Sequence, residues 1–140
     1  MEPNASTATQ QPDLATGGGG VVEMSAVALS KAIQGRDLSC VEVLDAYCAQ
    51  IDRLNPVVNA LVSPLDRDWL RGRSRELDTL LARGQSLGPL HGFPQAPKDI
   101  MPAAGMVTTK GSPIFAGQVS QTDCVAVSYT HLTLPTTPYV

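Results

Sequence analysis

One run constrains this chain more than any other part of its sequence: Gly88-Pro-Leu-His-Gly-Phe-Pro-Gln-Ala-Pro-Lys-Asp99. Pro94 and Pro97 lack a backbone N–H, so the run is confined to turns and to short strands that need few ladder bonds. Its only formal charges stand together at the end, on Lys98 and Asp99. A lysine in such an apolar run can serve as a base or as an ion-pair partner, and the first role requires burial that favours the neutral amine.

This run and the segment after it closely resemble the first block of the amidase signature family. Members of the family typically read G-P-L-H-G-x-P-x-A-x-K-D and then T-T-x-G-S, and this chain carries the second element as Thr108-Thr-Lys-Gly-Ser112. The resemblance is long, ungapped and ordered, and it covers roughly residues 25 to 127. Gln95 and Pro97 replace residues that are usually aliphatic in the family, whereas the lysine is retained.

The resemblance implies a Ser–cis-Ser–Lys mechanism, in which Lys98 is the catalytic lysine. In the family the bridging serine and the nucleophilic serine lie in a later Gly/Ser-rich block, which this sequence does not contain. We therefore expect a truncated amidase whose parent hydrolyses a small carboxylic amide at a non-peptide C–N bond, while the chain itself is inactive. No cofactor and no metal ion are expected.

The two ends of the chain differ in character from its middle. Residues 1–22 are rich in small and polar residues, including Gly17 to Gly20, and are expected to be a disordered leader. Residues 23–127 are expected to form the N-terminal part of an amidase domain. From Val127 the sequence reads Val-Ser-Tyr-Thr-His-Leu-Thr-Leu-Pro-Thr, which back-translates to something similar to a sequencing adapter. Residues 128–140, with Tyr129, His131 and Tyr139, are therefore expected to be an artefactual tail without function.

Three helices are predicted before the Gly/Pro-rich part. The first spans about residues 25 to 34 and ends at Gly35, and the second begins at a Ser39–Glu42 capping box and stops at Asn55-Pro56. The third runs from about 66 to 83. The apolar side chains expected to face inward are Ala26, Leu29 and Ile33 in the first helix, Val41, Leu44, Cys48 and Ile51 in the second, and Trp69, Leu77, Leu80 and Leu81 in the third.

After the helices, short apolar runs indicate strands. Residues 60–64 are a strand candidate, residues 91–99 are interpreted as a turn that enters a strand, and a further helix could open after Asp123. The fold class expected is α/β: N-terminal helices plus the first strands of an incomplete amidase-signature mixed sheet.

Other polar side chains are expected to have structural roles. His91 is interpreted as a histidine that stabilises a turn rather than as a base, and Ser112 as a loop residue, because no nucleophile motif surrounds either of them. Thr108 and Thr109 are expected to bond backbone groups near the site. The cysteines lack metal or disulfide spacing and are interpreted as buried free thiols: Cys40, Cys48 and Cys124.

Two alternatives stay open beside the free-standing amidase. One is the A subunit of glutamyl-tRNA(Gln) amidotransferase, in which an Asn often follows Lys-Asp, whereas Ile100 follows here. The other is a non-catalytic helical interaction module. The formal net charge of −3, the arginines interleaved with acids from Asp66 to Arg83, and the lack of a long apolar run predict a cytoplasmic protein without nucleic-acid or membrane contacts. A homodimer of the parent is left open.

Overall fold

A computed structural model describes residues 20–129. The described part contains four α-helices, named α1 to α4 in chain order: Ala26–Gly35, Cys40–Val58, Arg67–Ala82 and Val125–Tyr129. A short 3-10 turn precedes α1 at Val21–Glu23, and another lies between α3 and α4 at Pro113–Phe115. A long series of turns separates α3 from α4.

The start of α2 is capped from two sides. The Glu42 carboxylate accepts hydrogen bonds from the Ser39 N–H at 2.8 Å and from its hydroxyl at 2.7 Å, and the Glu42 N–H donates to Ser39 Oγ at 3.1 Å. This confirms the predicted capping box. The Asp78 carboxylate of α3 also accepts from the Cys40 N–H at 2.7 Å and the Val41 N–H at 3.4 Å. Two carboxylates thus satisfy the free N–H groups and complement the positive end of the helix dipole.

Two predicted helix ends differ from the structure. Gly35 stays helical, and Arg36 takes the left-handed conformation at φ 63° that ends α1. The predicted stop at Asn55-Pro56 is wrong, because α2 continues through Pro56 to Val58. Near a helix end a proline removes only one donor. The Asn55 side chain then bonds both backbone groups of Leu61, at 2.8 and 2.9 Å, and so fixes the exit of the helix.

Helices α2 and α3 form an antiparallel pair, since later positions of α3 meet earlier positions of α2. Arg67 and Arg71 of α3 make exposed ion pairs with α2, which typically contribute less than about 1 kcal/mol each, whereas Arg73 pairs within α3. These ion pairs are Arg67–Asp52 at 2.6 Å, Arg71–Asp45 at 2.9 Å and Arg73–Glu76 at 2.8 Å.

The core lies where α1 meets the start of α2. Leu29, Ile33, Cys40 and Val43 are almost completely buried there. Seven half-buried apolar residues pack around them: Val21, Met24, Leu38, Tyr47, Leu77, Leu81 and Phe93. The inward positions predicted for α1 are confirmed for Leu29 and Ile33, and those predicted for α3 for Leu77 and Leu81.

Part of the predicted inward set is wrong. In α2 Leu44 and Cys48 are buried and Val41 and Ile51 half-buried, while Cys40 and Val43, which were not predicted, are among the most buried residues. Ala26 of α1 was predicted to face inward and is exposed. Trp69 is 54% exposed and does not anchor the core. Helix α2 packs on α1 with one face and on α3 with another, so its buried surface is wider than a single stripe.

The two predicted strands are wrong. Residues 60–64 contain a bend, and the turn predicted at the start of 91–99 is present at His91 and Gly92, but no strand follows it. Within 20–129 the only β-pairing is an isolated antiparallel bridge, Val107–Val119. Pro94 and Pro97 remove ladder donors, and no described segment lies beside either run as a partner. The described part of the chain is therefore helix-rich, without the expected first strands of a sheet.

The predicted leader and tail lie largely outside the described residues, as do His131 and Tyr139. Within the described part, Val21 of the predicted leader packs against the core, and Ser128 and Tyr129 of the predicted tail belong to α4. The predicted helix after Asp123 is confirmed as α4, with Val127 buried. In residues 20–129 we find no helix long and apolar enough to cross a membrane.

Candidate active-site segment

The first half of the Gly88–Asp99 run is a turn that all three long helices hold in place. From α1, the Ser30 hydroxyl donates to the Pro89 carbonyl at 2.7 Å and the Gln34 amide donates to the Gly88 carbonyl at 2.9 Å. From α2, Cys40 lies against Gly92. The helices therefore form a platform that fixes where the run begins.

His91 makes the contact with α3 and is 3% exposed. Its Nδ1 accepts from the Leu87 N–H at 3.1 Å, and its Nε2 lies 3.0 Å from the Leu77 carbonyl. Because a carbonyl only accepts, Nε2 carries the proton and both ring nitrogens are occupied. The prediction of a turn-stabilising histidine is confirmed, and His91 has no free nitrogen for proton transfer.

Lys98 lies at the far end of the run. Pro97 fixes the backbone φ just before it, and the Lys98 carbonyl accepts from the Met101 N–H at 2.7 Å, which closes a turn over Lys98 to Met101. The Lys98 side chain is exposed. The described residues therefore fix the backbone of Lys98 but do not provide the burial that a lysine base requires.

Asp99 makes the densest set of polar contacts near Lys98. Its carboxylate accepts hydrogen bonds from the Thr109 N–H at 2.7 Å, the Thr109 hydroxyl at 2.5 Å and the Gly111 N–H at 3.0 Å. These bonds, with the Thr109 hydroxyl first among them, hold the pKa of Asp99 below its usual value. The carboxylate is thus engaged with the later Thr-Thr-Lys-Gly-Ser element rather than with Lys98.

That later element is a tight turn held from two directions. Lys110 and Gly111 both have left-handed backbones, at φ 53° and 70°, a conformation that costs a residue with a side chain about 1–2 kcal/mol. Asp99 satisfies N–H groups on one side of the turn, and on the other side the Thr108 N–H donates to the Gln118 carbonyl at 2.9 Å. The prediction that the two threonines bond backbone groups is confirmed for Thr109, whose hydroxyl accepts from the Gly111 N–H at 3.2 Å and also donates to the Asp99 carboxylate. Thr108 bonds the Gln118 carbonyl through its own N–H rather than through its side chain.

Ser112 closes this turn. Its hydroxyl accepts from the Ile114 N–H at 3.4 Å and caps the 3-10 turn at Pro113–Phe115. This confirms the loop role predicted for Ser112.

The contact between Asp99 and the Thr-Thr-Lys-Gly-Ser element was not predicted from the sequence. The available signal was the pairing of an acid with a Thr-x-Gly turn ten residues later, because short turns with free N–H groups favour a carboxylate acceptor.

A groove of about 600 Å³ opens beside the run. Most of its walls are apolar side chains of α3 and of the run, and its lining includes Trp69, Phe93 and Met106. Lys98 does not line it. Because the lysine and the groove are separate, the groove by itself does not define a reaction site.

The chemistry that residues 20–129 offer is incomplete for acyl transfer. In this range no serine or cysteine bonds a lysine or histidine side chain, and no group of His, Cys, Asp and Glu is arranged to hold a metal ion. The cysteines are free thiols, with Cys40 and Cys48 buried as predicted and Cys124 half-buried. What the arrangement does provide is a lysine on a rigid backbone, beside a turn that its neighbour Asp99 holds.

Comparison with known proteins agrees with the family indicated by these motifs. The family model described as Amidase matches residues 42–131, which is more than half of the chain. The chain therefore belongs to the amidase signature family.

Individual relatives fall into two groups. The chain is 36% identical to the A subunit of a glutamyl-tRNA(Gln) amidotransferase from Acidothermus cellulolyticus, over 76% of this chain and 21% of the relative. A second protein of that name, from Dechloromonas aromatica, is 36% identical over 79% of this chain and 22% of the relative. An acylamidase from Rhodococcus erythropolis is 32% identical over 74% of this chain and 22% of the relative. The chain thus spans about a fifth of the length of the curated relatives it matches.

Proposed function

We propose that this chain supplies the catalytic lysine, Lys98, of an enzyme that hydrolyses a small carboxylic amide by a Ser–cis-Ser–Lys mechanism. The observation that carries the proposal is the position of Lys98 in the matched family block, on a backbone fixed by Pro97 and by the turn to Met101. In this mechanism the neutral lysine takes a proton from the bridging serine, which in turn takes one from the nucleophilic serine as it attacks the amide carbonyl.

The two serines and the burial of Lys98 would come from sequence outside the 140 residues. That part would also supply the strands of the mixed sheet and the oxyanion donors. On this proposal the 140 residues alone are inactive for two reasons. They lack the nucleophilic serine, and Lys98 is not buried. We also propose that the enzyme works in the cytoplasm.

The alternative within the family is an amidotransferase of the kind that several relatives are named for. A protein of that kind would work with partner subunits and tRNA, so the expected absence of a nucleic-acid partner would then fail. Ile100 after Lys-Asp, where those amidotransferases often have Asn, favours the free-standing amidase.

The coding DNA is the first test. Long-read sequencing of the source across codons 120–140 should show a frame that runs on into a Gly/Ser-rich block instead of encoding residues 128–140. If the source encodes those residues and then stops, the chain has no nucleophile, and the interpretation as a helical interaction module replaces the enzyme.

The second test uses the complete gene product. Lys98→Ala should lower kcat for simple carboxylic amides by at least about 1,000-fold, because proton transfer through the bridging serine is lost. Lys31→Ala, at an exposed position on α1, is the matched control and should keep full activity. Ammonia release by the purified protein alone supports the amidase, and release only after partner subunits and tRNA are added supports the amidotransferase.

A further inference from the structure

We propose that Asp99 is a positioning residue, whose carboxylate ties the backbone that carries Lys98 to the turn at Thr109 and Gly111. The inference rests on the proposed function of Lys98 and deepens it. In this role Asp99 holds the backbone of Lys98 in place and takes no part in the proton-transfer steps themselves.

The Asp99 carboxylate is fully engaged by a later segment of the chain. Asp99 is the second residue of the turn that the Lys98 carbonyl closes with the Met101 N–H. Its two oxygens take three hydrogen bonds from residues ten and twelve positions later. The carboxylate is thus bonded to the later turn, and among residues 20–129 it makes no ion pair with Lys98.

The turn that Asp99 binds is itself anchored. The Thr108 N–H donates to the Gln118 carbonyl, and the Gly105 N–H donates to the Ser120 carbonyl, both at 2.9 Å. Through Asp99, the Lys98 backbone is therefore connected to a second, independently held segment. Two anchors, the proline before the lysine and the carboxylate after it, leave the Lys98 backbone little freedom to rotate.

A fixed Lys98 backbone should make proton transfer faster, because it keeps the lysine amine at the right distance from the proton. A base must stand within hydrogen-bond reach of the proton that it takes, and a displacement of about 1 Å can cost about 100-fold in rate. Loss of the Asp99 contacts should therefore lower kcat, whereas KM should change little because Asp99 is not proposed to touch the substrate.

The test compares isosteric variants of the complete gene product. Asp99→Asn keeps the shape but replaces one acceptor oxygen with a donor that opposes the Gly111 N–H. Thr109→Val also keeps the shape but removes the hydroxyl, which donates to Asp99 and accepts from the Gly111 N–H. We expect kcat to fall about 100-fold in the first and about 10-fold in the second, with KM within about threefold. Thr109→Ser retains the hydroxyl and should keep nearly full kcat. Asp45→Asn, which breaks an exposed ion pair with Arg71, is the control carboxylate and should match the wild type.

The outcomes separate this inference from the function on which it rests. If Lys98→Ala is inactive while both Asp99→Asn and Thr109→Val keep wild-type kcat, the positioning role is wrong and the catalytic lysine stands. If Lys98→Ala retains activity, the proposed function itself is wrong. A rise in KM at unchanged kcat also overturns the positioning role. Should Asp99→Asn fail to fold, the pair Thr109→Val and Thr109→Ser decides the question, since both keep Asp99 and its two backbone bonds.

Discussion

Gly92 and Cys40 are in direct contact, and the contact leaves no room for a side chain on the glycine. A β-carbon placed on Gly92 would lie 2.4 Å from Cys40 Sγ and 3.3 Å from its Cβ. Gly92 also has a left-handed backbone, at φ 76°. Both conditions require glycine at this position of the Leu-His-Gly turn. The glycine of the motif is therefore needed for the turn to pack against α2.

Replacing Gly92 with alanine should therefore destabilise the fold through two separable effects. The left-handed backbone costs about 1 kcal/mol, and the clash with a buried sulfur adds about 2 kcal/mol. Gly84→Ala is the matched control, because Gly84 has φ 75° and open space around it. Urea unfolding followed by the helical circular dichroism signal should show the larger loss for Gly92→Ala, and equal losses would contradict the proposed contact.

The Cys40 thiol should be the least reactive of the three thiols. Burial, and then the hydrogen bond to Asp78, raise the pKa of Cys40 from 9.0 to about 12. Since only the thiolate reacts with alkylating reagents, iodoacetamide at pH 9 should label half-buried Cys124 before Cys40, as read by peptide mass spectrometry. Early labelling of Cys40 in the folded protein would contradict this.

The same shift in pKa gives the stability a defined pH dependence. The folded state keeps the Cys40 proton up to about pH 12, whereas the unfolded chain loses it near pH 9.0. The contribution of the protonated Cys40 thiol to the free energy of unfolding is therefore complete below pH 9, and it is lost as the pH rises from 9 towards 12. Cys40→Ala should reduce this alkaline loss of stability, measured as the difference in urea midpoint between pH 8 and pH 10.5. An unchanged pH dependence in the variant would argue against the raised pKa.

Local signals predicted the helices well, because each helix start is encoded in its own few residues. The Ser39–Glu42 capping box is visible in the sequence and is present in the structure. The second cap on α2 was not predictable, since Asp78 reaches it from 38 residues away. The continuation through Pro56 was also missed, because it depends on the contacts of Asn55 with Leu61 beyond the helix.

The site was predictable only in part, for a similar reason. The motif identified Lys98 as the candidate residue and His91 as a turn residue. The binding of Asp99 to Thr109 and Gly111 is a contact between two elements of the motif, and no single stretch of sequence encodes it. The strand prediction for 91–99 failed because apolar residues split by prolines also suit a chain of turns docked on helices.

Trp69 offers a direct check of the groove, since it is the only tryptophan of the chain. It lines the groove and is 54% exposed, rather than packed in the core. Trp69 in the 140-residue chain should therefore fluoresce at a long wavelength, and acrylamide should quench this fluorescence readily. A blue-shifted emission that resists quenching would show that this face is covered.

His91 and Lys98 should respond to substitution in opposite ways. His91→Ala removes the ring that bonds the Leu87 N–H and the Leu77 carbonyl, leaves a cavity at a buried position, and should cost about 3 kcal/mol of folding stability. His91→Gln can still donate to the Leu77 carbonyl and should cost about half as much. Because neither ring nitrogen is free, both variants of the complete gene product should keep kcat within about threefold below their unfolding temperatures, whereas Lys98→Ala should be inactive. Thermal unfolding and turnover measured on the same samples separate the two effects. If a folded His91→Gln variant turned over about 100-fold more slowly than the wild type, the histidine would have to take part in the chemistry.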